Sequence, residues 1–339
     1  METKILDLKN GDRAAKIAVA AEILKRDGVV AMPTETVYGL AASAFSDNAI
    51  KKVFIAKGRP QDNPLIVHID SVEMLNEVAA DIPEIAFTLA QKFWPGPFTM
   101  VLNKGENIAE SVSAGLSSVA VRMPNNDVAC ELIRTSRLPL AAPSANISGY
   151  PSPVSADHVI TDLSGKIDAV LAAEDCTVGV ESTVVSLITN PPRLLRPGAV
   201  TVEQLREFLP DVVVDPAVLA ELESGEKAAS PGMKYKHYSP KTQVVLVESD
   251  SEAFAEYVNS KENCVAVCFE EDSGINAPSV VYGSKNNEAS LAKNIFAVLR
   301  QLDNGSFETA YVHAPSKTGI GLAVYNRLIR AAGFKVVKL

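Results

Sequence analysis

Two segments carry the residue types with the most chemical capacity in this chain: Pro33-Thr34-Glu35-Thr36-Val37-Tyr38-Gly39-Leu40 and, further on, Lys57-Gly58-Arg59-Pro60. The first breaks at a proline, offers hydroxyls and a carboxylate, then turns at a glycine. The second sets a lysine and an arginine on either side of a glycine. Hydroxyls facing fixed cations can hold an amino acid against a phosphate chain, because a guanidinium fork grips phosphate oxygens through parallel hydrogen bonds. Each segment also has a plainer reading. Thr34 and Thr36 could cap the next helix. Lys57 and Arg59 could be a solvated helix end matched to the helix dipole.

Other residues stand out singly. His68 falls in the apolar run Pro64-Leu65-Ile66-Val67-His68-Ile69, where a lone histidine is usually structural. Arg122 ends Val119-Ala120-Val121-Arg122 and carries a charge into a core. A buried charge needs a partner, and a substrate carboxylate and an internal Asp or Glu are both open. Pro143-Ser144-Ala145-Asn146 follows the apolar 138–142; its small residues would let backbone, hydroxyl and amide approach a ligand closely, so Ser144 and Asn146 are nucleotide-contact candidates. Ser182 opens a strand in Glu181-Ser182-Thr183-Val184, with no Gly-x-Ser-x-Gly elbow to make it a nucleophile. Gly319-Ile320-Gly321 lacks the third glycine of a dinucleotide fingerprint and reads as a tight turn before a helix.

These residues need elements to hold them. Ile17, Ala21 and Leu24 recur at helical spacing and predict an amphipathic helix over 14–25. A strand at 29–32, the Pro-Thr-Glu-Thr loop, a helix near 48–56 and a strand at 64–69 follow. Helices are expected near 72–79 and 83–93, with a rigid loop at Phe93-Trp94-Pro95-Gly96-Pro97-Phe98, where prolines bracket a glycine. Strands at 99–102, 119–122, 140–142 and 183–187 and a helix at 127–136 complete an α/β part with a mixed sheet. The segment Ser230-Pro231-Gly232-Met233-Lys234-Tyr235-Lys236-His237-Tyr238-Ser239-Pro240 alternates cations with aromatics. A plain linker would need neither, so it reads as a linker that also touches a ligand. From Gln243 strands alternate with helices, which predicts βαβ units and a largely parallel sheet. The resulting division is 1–210, a linker at 211–241 and 242–339.

At 339 residues the chain exceeds what one ordinary core supports. A hydrophobic fraction of 47% and a charged fraction of 22% are those of a soluble globular protein. No apolar stretch approaches the ~20 residues of a membrane span, and the N-terminus has no basic start before a long apolar run. A cytoplasmic protein with no membrane partner is expected. The 4 cysteines include no Cys-x-x-Cys pair and the 4 histidines are scattered, so no metal site of the protein's own is expected. A net charge of −9 opposes non-specific nucleic-acid binding and makes direct tRNA binding doubtful. Any anion site must be a local pocket.

In their order along the chain, Pro33–Leu40, Lys57–Pro60 with Asn63-Pro64-Leu65, Phe93–Phe98, Pro143–Gly149, Glu181–Val184 and Leu195-Arg196-Pro197-Gly198 resemble the Sua5/YrdC family, which makes the threonylcarbamoyl-adenylate used in t6A modification of tRNA. The 230–240 segment and the C-terminal part resemble the longer, Sua5 branch. The likeness covers nearly the whole chain, and although each motif is weak alone, the ordered set is specific. It implies a YrdC-like twisted mixed sheet with helices, plus a smaller Rossmann-like parallel α/β domain. It implies a nucleotidyltransferase taking L-threonine, bicarbonate or CO2 and ATP to threonylcarbamoyl-AMP and pyrophosphate. Threonine would meet Thr36, His68, Arg122, the backbone at Ala142, and Ser182. ATP would meet Arg59, Asn63, Ser118, Ser144, Asn146, Ser152 and Arg196, with Gly232 and Tyr235 in a lid. Lys57 and Arg59 would carry the phosphate charge during reaction, with Mg2+ arriving on ATP. The C-terminal part would steady the lid or dock other t6A-pathway proteins. The competing reading, an RNA-binding module without catalysis, explains the cations but not the hydroxyl motifs.

Overall fold

Short apolar runs, each closed by a proline, a glycine or a capping side chain, build the elements. The computed structural model describes residues 2–220 and 237–339. Gly232 and Tyr235, with the rest of the expected lid up to residue 236, lie outside them.

After β1 (Lys4–Asp7), Asp12 accepts from the Ala15 amide and starts α1 (Arg13–Lys25), which buries Ile17, Ala20, Ala21 and Leu24. β2 (Val30–Met32) and β3 (Gly39–Ser43) are buried along their whole length. Ser46 caps α2 (Asp47–Lys57), and Gly58 ends it in the left-handed region at φ 60°, a conformation that needs glycine or accepts strain. β4 (Ile66–His68), α3 (Leu75–Val78), β5 (Ala79–Ala80) and α4 (Glu84–Phe93) come next. β6 (Phe98–Lys104), α5 (Glu110–Ser113) and β7 (Ser118–Arg122) precede α6 (Asp127–Ser136), which Asn126 caps. β8 (Leu140–Ala141), α7 (Ala156–Leu163), β9 (Ala169–Ala172), β10 (Thr183–Ser186), β11 (Arg193–Arg196), α8 (Val202–Arg206) and β12 (Val213–Val214) close this part.

These strands make one 12-stranded sheet in the order β1-β9-β2-β3-β8-β4-β7-β6-β10-β11-β12, with β5 on β6. Parallel pairs such as β4/β7 alternate with antiparallel ones such as β6/β7, so the sheet is mixed, as expected. The second sheet is all parallel, in the order β15-β14-β16-β13-β17. It uses β13 (Gln243–Glu248), β14 (Cys264–Phe269), β15 (Ser279–Gly283), β16 (Thr309–His313) and β17 (Val336–Lys338). α9 (Ser251–Asn259), α10 (Glu288–Gln301) and α11 (Gly319–Ala331) flank it. Every residue of α11 from Gly321 to Ala331 is buried, so this helix faces the first sheet's side of the molecule as well as its own.

Two expectations changed. The helix near 72–79 is the single turn α3, because Ala79 and Ala80 leave it to pair with Lys104 and Asn103 of β6. Gly39 opens a strand instead of a turn. It bridges to Ser144, and a Cβ there would lie 3.2 Å from the Ala142 Cβ, so the glycine serves the close approach of two backbones.

Candidate active site

The centre of the large sheet brings motifs from distant parts of the chain together. β4 and β7 pair in parallel register with His68 beside Arg122, and β6 sets Thr99 opposite Arg122. Leu40 N donates to Pro143 O at 2.7 Å and Ala145 N to Tyr38 O at 2.8 Å, which lays the Pro143–Asn146 loop against the Thr34–Leu40 loop. The result is a cleft open to solvent.

The hydroxyl loop forms part of the cleft wall. Thr34 Oγ1 accepts from the Thr36 and Val37 amides and donates to Val37 O at 2.6 Å. It therefore closes its own turn and caps no helix; Ser46 does that for α2. Thr36 Oγ1 lies 2.8 Å from Thr34 Oγ1 and accepts from Arg122 Nη1 at 2.9 Å. Arg122 Nε donates to Gly96 O at 3.2 Å, so the Pro-Gly-Pro loop serves as its seat. Its partner in charge is Glu35, at 2.6 Å from Nη2, with both side chains nearly fully buried. The internal bridge left open by the sequence exists, and Glu35 is the carboxylate that supplies it. His68 is buried beside Arg122, and its Nδ1 faces Ile66 O at 3.2 Å. Burial, then the Arg122 charge, push its pKa down to about 3, so the ring is neutral at physiological pH.

Two further cations line the same cleft. Arg59 follows the Gly58 turn and lines the cleft, with Nη2 donating to Asn63 O at 3.2 Å. Arg196 ends β11 and lines it too; Nε donates to Ser182 O at 3.0 Å and Nη2 to Ser182 Oγ at 3.1 Å. Burial lowers both guanidinium pKa values to about 10, far too little to discharge them. Ser144, Asn146, Ser152 and the Ala142 backbone complete the wall.

The expected site residues thus fall into three groups. Thr36, Arg59, His68, Arg122, Ala142, Ser144, Asn146, Ser152 and Arg196 share one cleft. Ser182 and Asn63 stand behind it: the Ser182 hydroxyl, 2.7 Å from Thr99 Oγ1, seats Arg196, and the Asn63 amide is buried at 1% exposure with no hydrogen-bond partner. Lys57 and Ser118 do not line the cleft. The Lys57 ammonium is turned into the protein, at 2.5 Å from Ser144 O and 2.6 Å from Asn146 O. Ser118 lies on the same face of β7 as Arg122 but about 13 Å along it.

Sequence reasoning named no site role for Glu181 and Tyr150, which line the cleft, nor for Glu35, which pairs with Arg122 without lining it; His237 and Tyr238, also in the lining, belong to the 230–240 segment expected to touch a ligand. Glu35 and Glu181 sit inside quoted motifs, and the signal was there: a buried arginine requires a carboxylate. Among the described residues no cluster of His, Cys, Asp or Glu is arranged to hold a metal ion, and the carboxylate that lines the cleft, Glu181, and the one next to it, Glu35, are each paired to an arginine.

Known proteins resemble this chain in sequence and fold. The family described as Telomere recombination (Sua5_yciO_yrdC) matches residues 22–198, and the threonylcarbamoyl-AMP synthase C-terminal domain family (Sua5_C) matches 200–333. The threonylcarbamoyl-AMP synthase of Pyrococcus abyssi is 42% identical over 99% of this chain and 100% of its own length. That of Bacillus subtilis is 41% identical over 95% and 94%. The crystal structure of P. abyssi Sua5 complexed with L-threonine superposes with a TM-score of 0.90 at 39% identity, covering 100% of both chains. Matched in both its parts and along its whole length, this chain belongs to the Sua5/YrdC family, in its long, Sua5 form.

Proposed function

We infer that this chain is a threonylcarbamoyl-AMP synthase, as its full-length relatives are named. The observation that carries the reading is the convergence of Thr36, His68, Arg122, Arg59, Ser144 and Arg196 on a single cleft. Thr36, His68 and Arg122 suit threonine. Arg122, backed by its Glu35 partner, presents a guanidinium to the carboxylate of an amino acid, and the Thr36 hydroxyl offers a hydrogen bond to its side-chain hydroxyl. Arg59, Ser144 and Arg196 suit a triphosphate, through guanidinium forks and the hydroxyl and amide of the 143–146 loop.

The reaction needs no covalent enzyme intermediate. The threonine amine attacks CO2, loses a proton and becomes a carbamate; from bicarbonate, the extra oxygen leaves as water. A carbamate oxygen then attacks the α-phosphorus, and the bond to the bridging oxygen breaks with pyrophosphate taking the electron pair. The protein's share is positioning and charge neutralisation. Arg59 and Arg196 carry phosphate charge, Asn63 backs Arg59, and Lys57 holds the loop that presents Ser144 and Asn146. Mg2+ would be held by nucleotide phosphates and water, as that ion commonly is, since the donors here form no cage for it. The product serves t6A modification of tRNA.

The RNA-binding alternative has nothing to favour it: these cations sit in a cleft of a chain with net charge −9. Among the described residues no helix is long and apolar enough to cross a membrane. The test is pyrophosphate release from ATP, with threonine and bicarbonate omitted in turn. Release needs both; release indifferent to threonine would overturn the reading.

A further inference from the structure

The largest fully buried side chain among the described residues belongs to the second sheet's half, yet it reaches Glu181 in the cleft wall. Arg327, on α11, is 0% exposed. Its Nε donates to Glu181 Oε2 at 2.9 Å, forming an ion pair across the two halves. Its Nη2 donates to Glu181 O at 3.3 Å and its Nη1 to Pro197 O at 2.7 Å. Glu181 immediately precedes Ser182, and Pro197 immediately follows Arg196. Arg327 therefore grips both chain segments that carry the Arg196–Ser182 contact.

Glu181 faces the same cleft as Arg196. Its other oxygen, Oε1, accepts from Ser152 Oγ at 2.6 Å. Burial by itself would raise the Glu181 pKa, but the Arg327 and Arg196 charges together bring it below the ordinary carboxylate value. It is an anion in the floor of a site that must receive a more highly charged anion. A carboxylate left without a buried partner turns to a neighbouring cation, and Arg196, in the same cleft wall, already acts on Glu181 through its charge.

We propose that Arg327 is a positioning residue for nucleotide binding: from the C-terminal half it engages Glu181, so that Arg196 is not neutralised by that carboxylate and can serve the phosphates. The C-terminal half thereby contributes to the cleft without lining it. The inference rests on the proposed function only in naming ATP as the anion.

The test uses the full chain carrying Arg327→Met, Glu181→Gln or both. Titration with ATP alone gives Kd without any turnover, and pyrophosphate release gives KM for ATP and for threonine. R327M is expected to weaken ATP binding about tenfold or more, with KM for threonine moving less than about threefold. E181Q, introduced into R327M, is expected to return most of the ATP affinity, because it removes the anion that Arg327 had engaged. A purely structural arginine would lower the melting temperature and the active fraction, leaving both constants alone. Unchanged ATP affinity in R327M, or a double variant that binds ATP as poorly as R327M, overturns the proposal. Should R327M not fold, the double variant still decides, since replacing a buried pair as a unit is often neutral for stability: near-native ATP affinity supports the proposal and a tenfold loss overturns it. Wild-type protein that binds ATP but releases no pyrophosphate would refute the enzyme reading and leave the Arg327 result legible in the titration.

Discussion

Replacing Lys57 with methionine separates two roles the residue could play. In the structure its ammonium lies 2.5 Å from Ser144 O, 2.6 Å from Asn146 O and 3.4 Å from Asn146 Oδ1. Methionine fills the same space and donates nothing. Two buried carbonyls then lack a donor, at about 1–3 kcal/mol each. Part of that is recovered, because the ammonium is itself costly to bury; burial, then the nearby Arg59 charge, hold its pKa well below the ordinary value. The net loss should be about 2–4 kcal/mol. Urea unfolding would report it as a lower midpoint at an unchanged slope. Because the loosened loop presents Ser144 and Asn146 to the cleft, KM for ATP should also rise by about tenfold or more. The refuting result is a K57M protein within about 0.5 kcal/mol of wild type whose ATP affinity is nevertheless lost. That outcome would mean the ammonium acts on the phosphates directly and that its loop contacts are incidental.

Other outcomes are equally specific. Arg122→Met strands the Glu35 carboxylate and should cost about 3–5 kcal/mol, most of it returned in the E35Q/R122M double variant; denaturation of the three proteins checks this, and equal losses in single and double variants would contradict the pairing. His68 binds no proton until about pH 3 when folded but does so near pH 6.5 when unfolded. Its contribution is therefore intact above pH 6.5 and fades as pH falls toward 3, by about 1.4 kcal/mol per pH unit. His68→Gln should flatten that slope in pH-dependent unfolding; an identical slope would show that His68 does not carry it. Among substrates, valine should be rejected by on the order of 10⁴-fold in kcat/KM and serine by only ~10–200-fold, because a lost hydroxyl strands polar groups whereas a lost methyl leaves a small void. Equal pyrophosphate release with threonine and valine would remove the hydroxyl pocket from the account.

Legibility in the sequence followed the strength of local signals. The helix at 127–136 was bounded as it stands, since Asn126 caps it and apolar residues recur along one face. The alternation of apolar runs with amphipathic helices after Gln243 foretold a largely parallel sheet, and the sheet is parallel throughout. β1, β9 and β11 are each 4 residues long and escaped notice. Strands so short have too few residues to display a period, and their partners are far away in sequence: Lys4 pairs with Ala169. Gly39 misled for another reason. A glycine in isolation signals a turn, but here it answers a backbone crossing that only the folded sheet creates.

Residue chemistry and motif order pointed to the family, the sheet types and nine of the residues that meet in the cleft. The chain's linear order could not show how charge is shared there. Glu35 reaches Arg122, Lys57 turns to the 144–146 carbonyls, and Arg327 engages Glu181 across 146 positions. Each choice depends on which buried cation lies within a few ångströms of which oxygen, and Coulomb and hydrogen-bond energies fall too steeply with distance for anything but the packed tertiary structure to decide it.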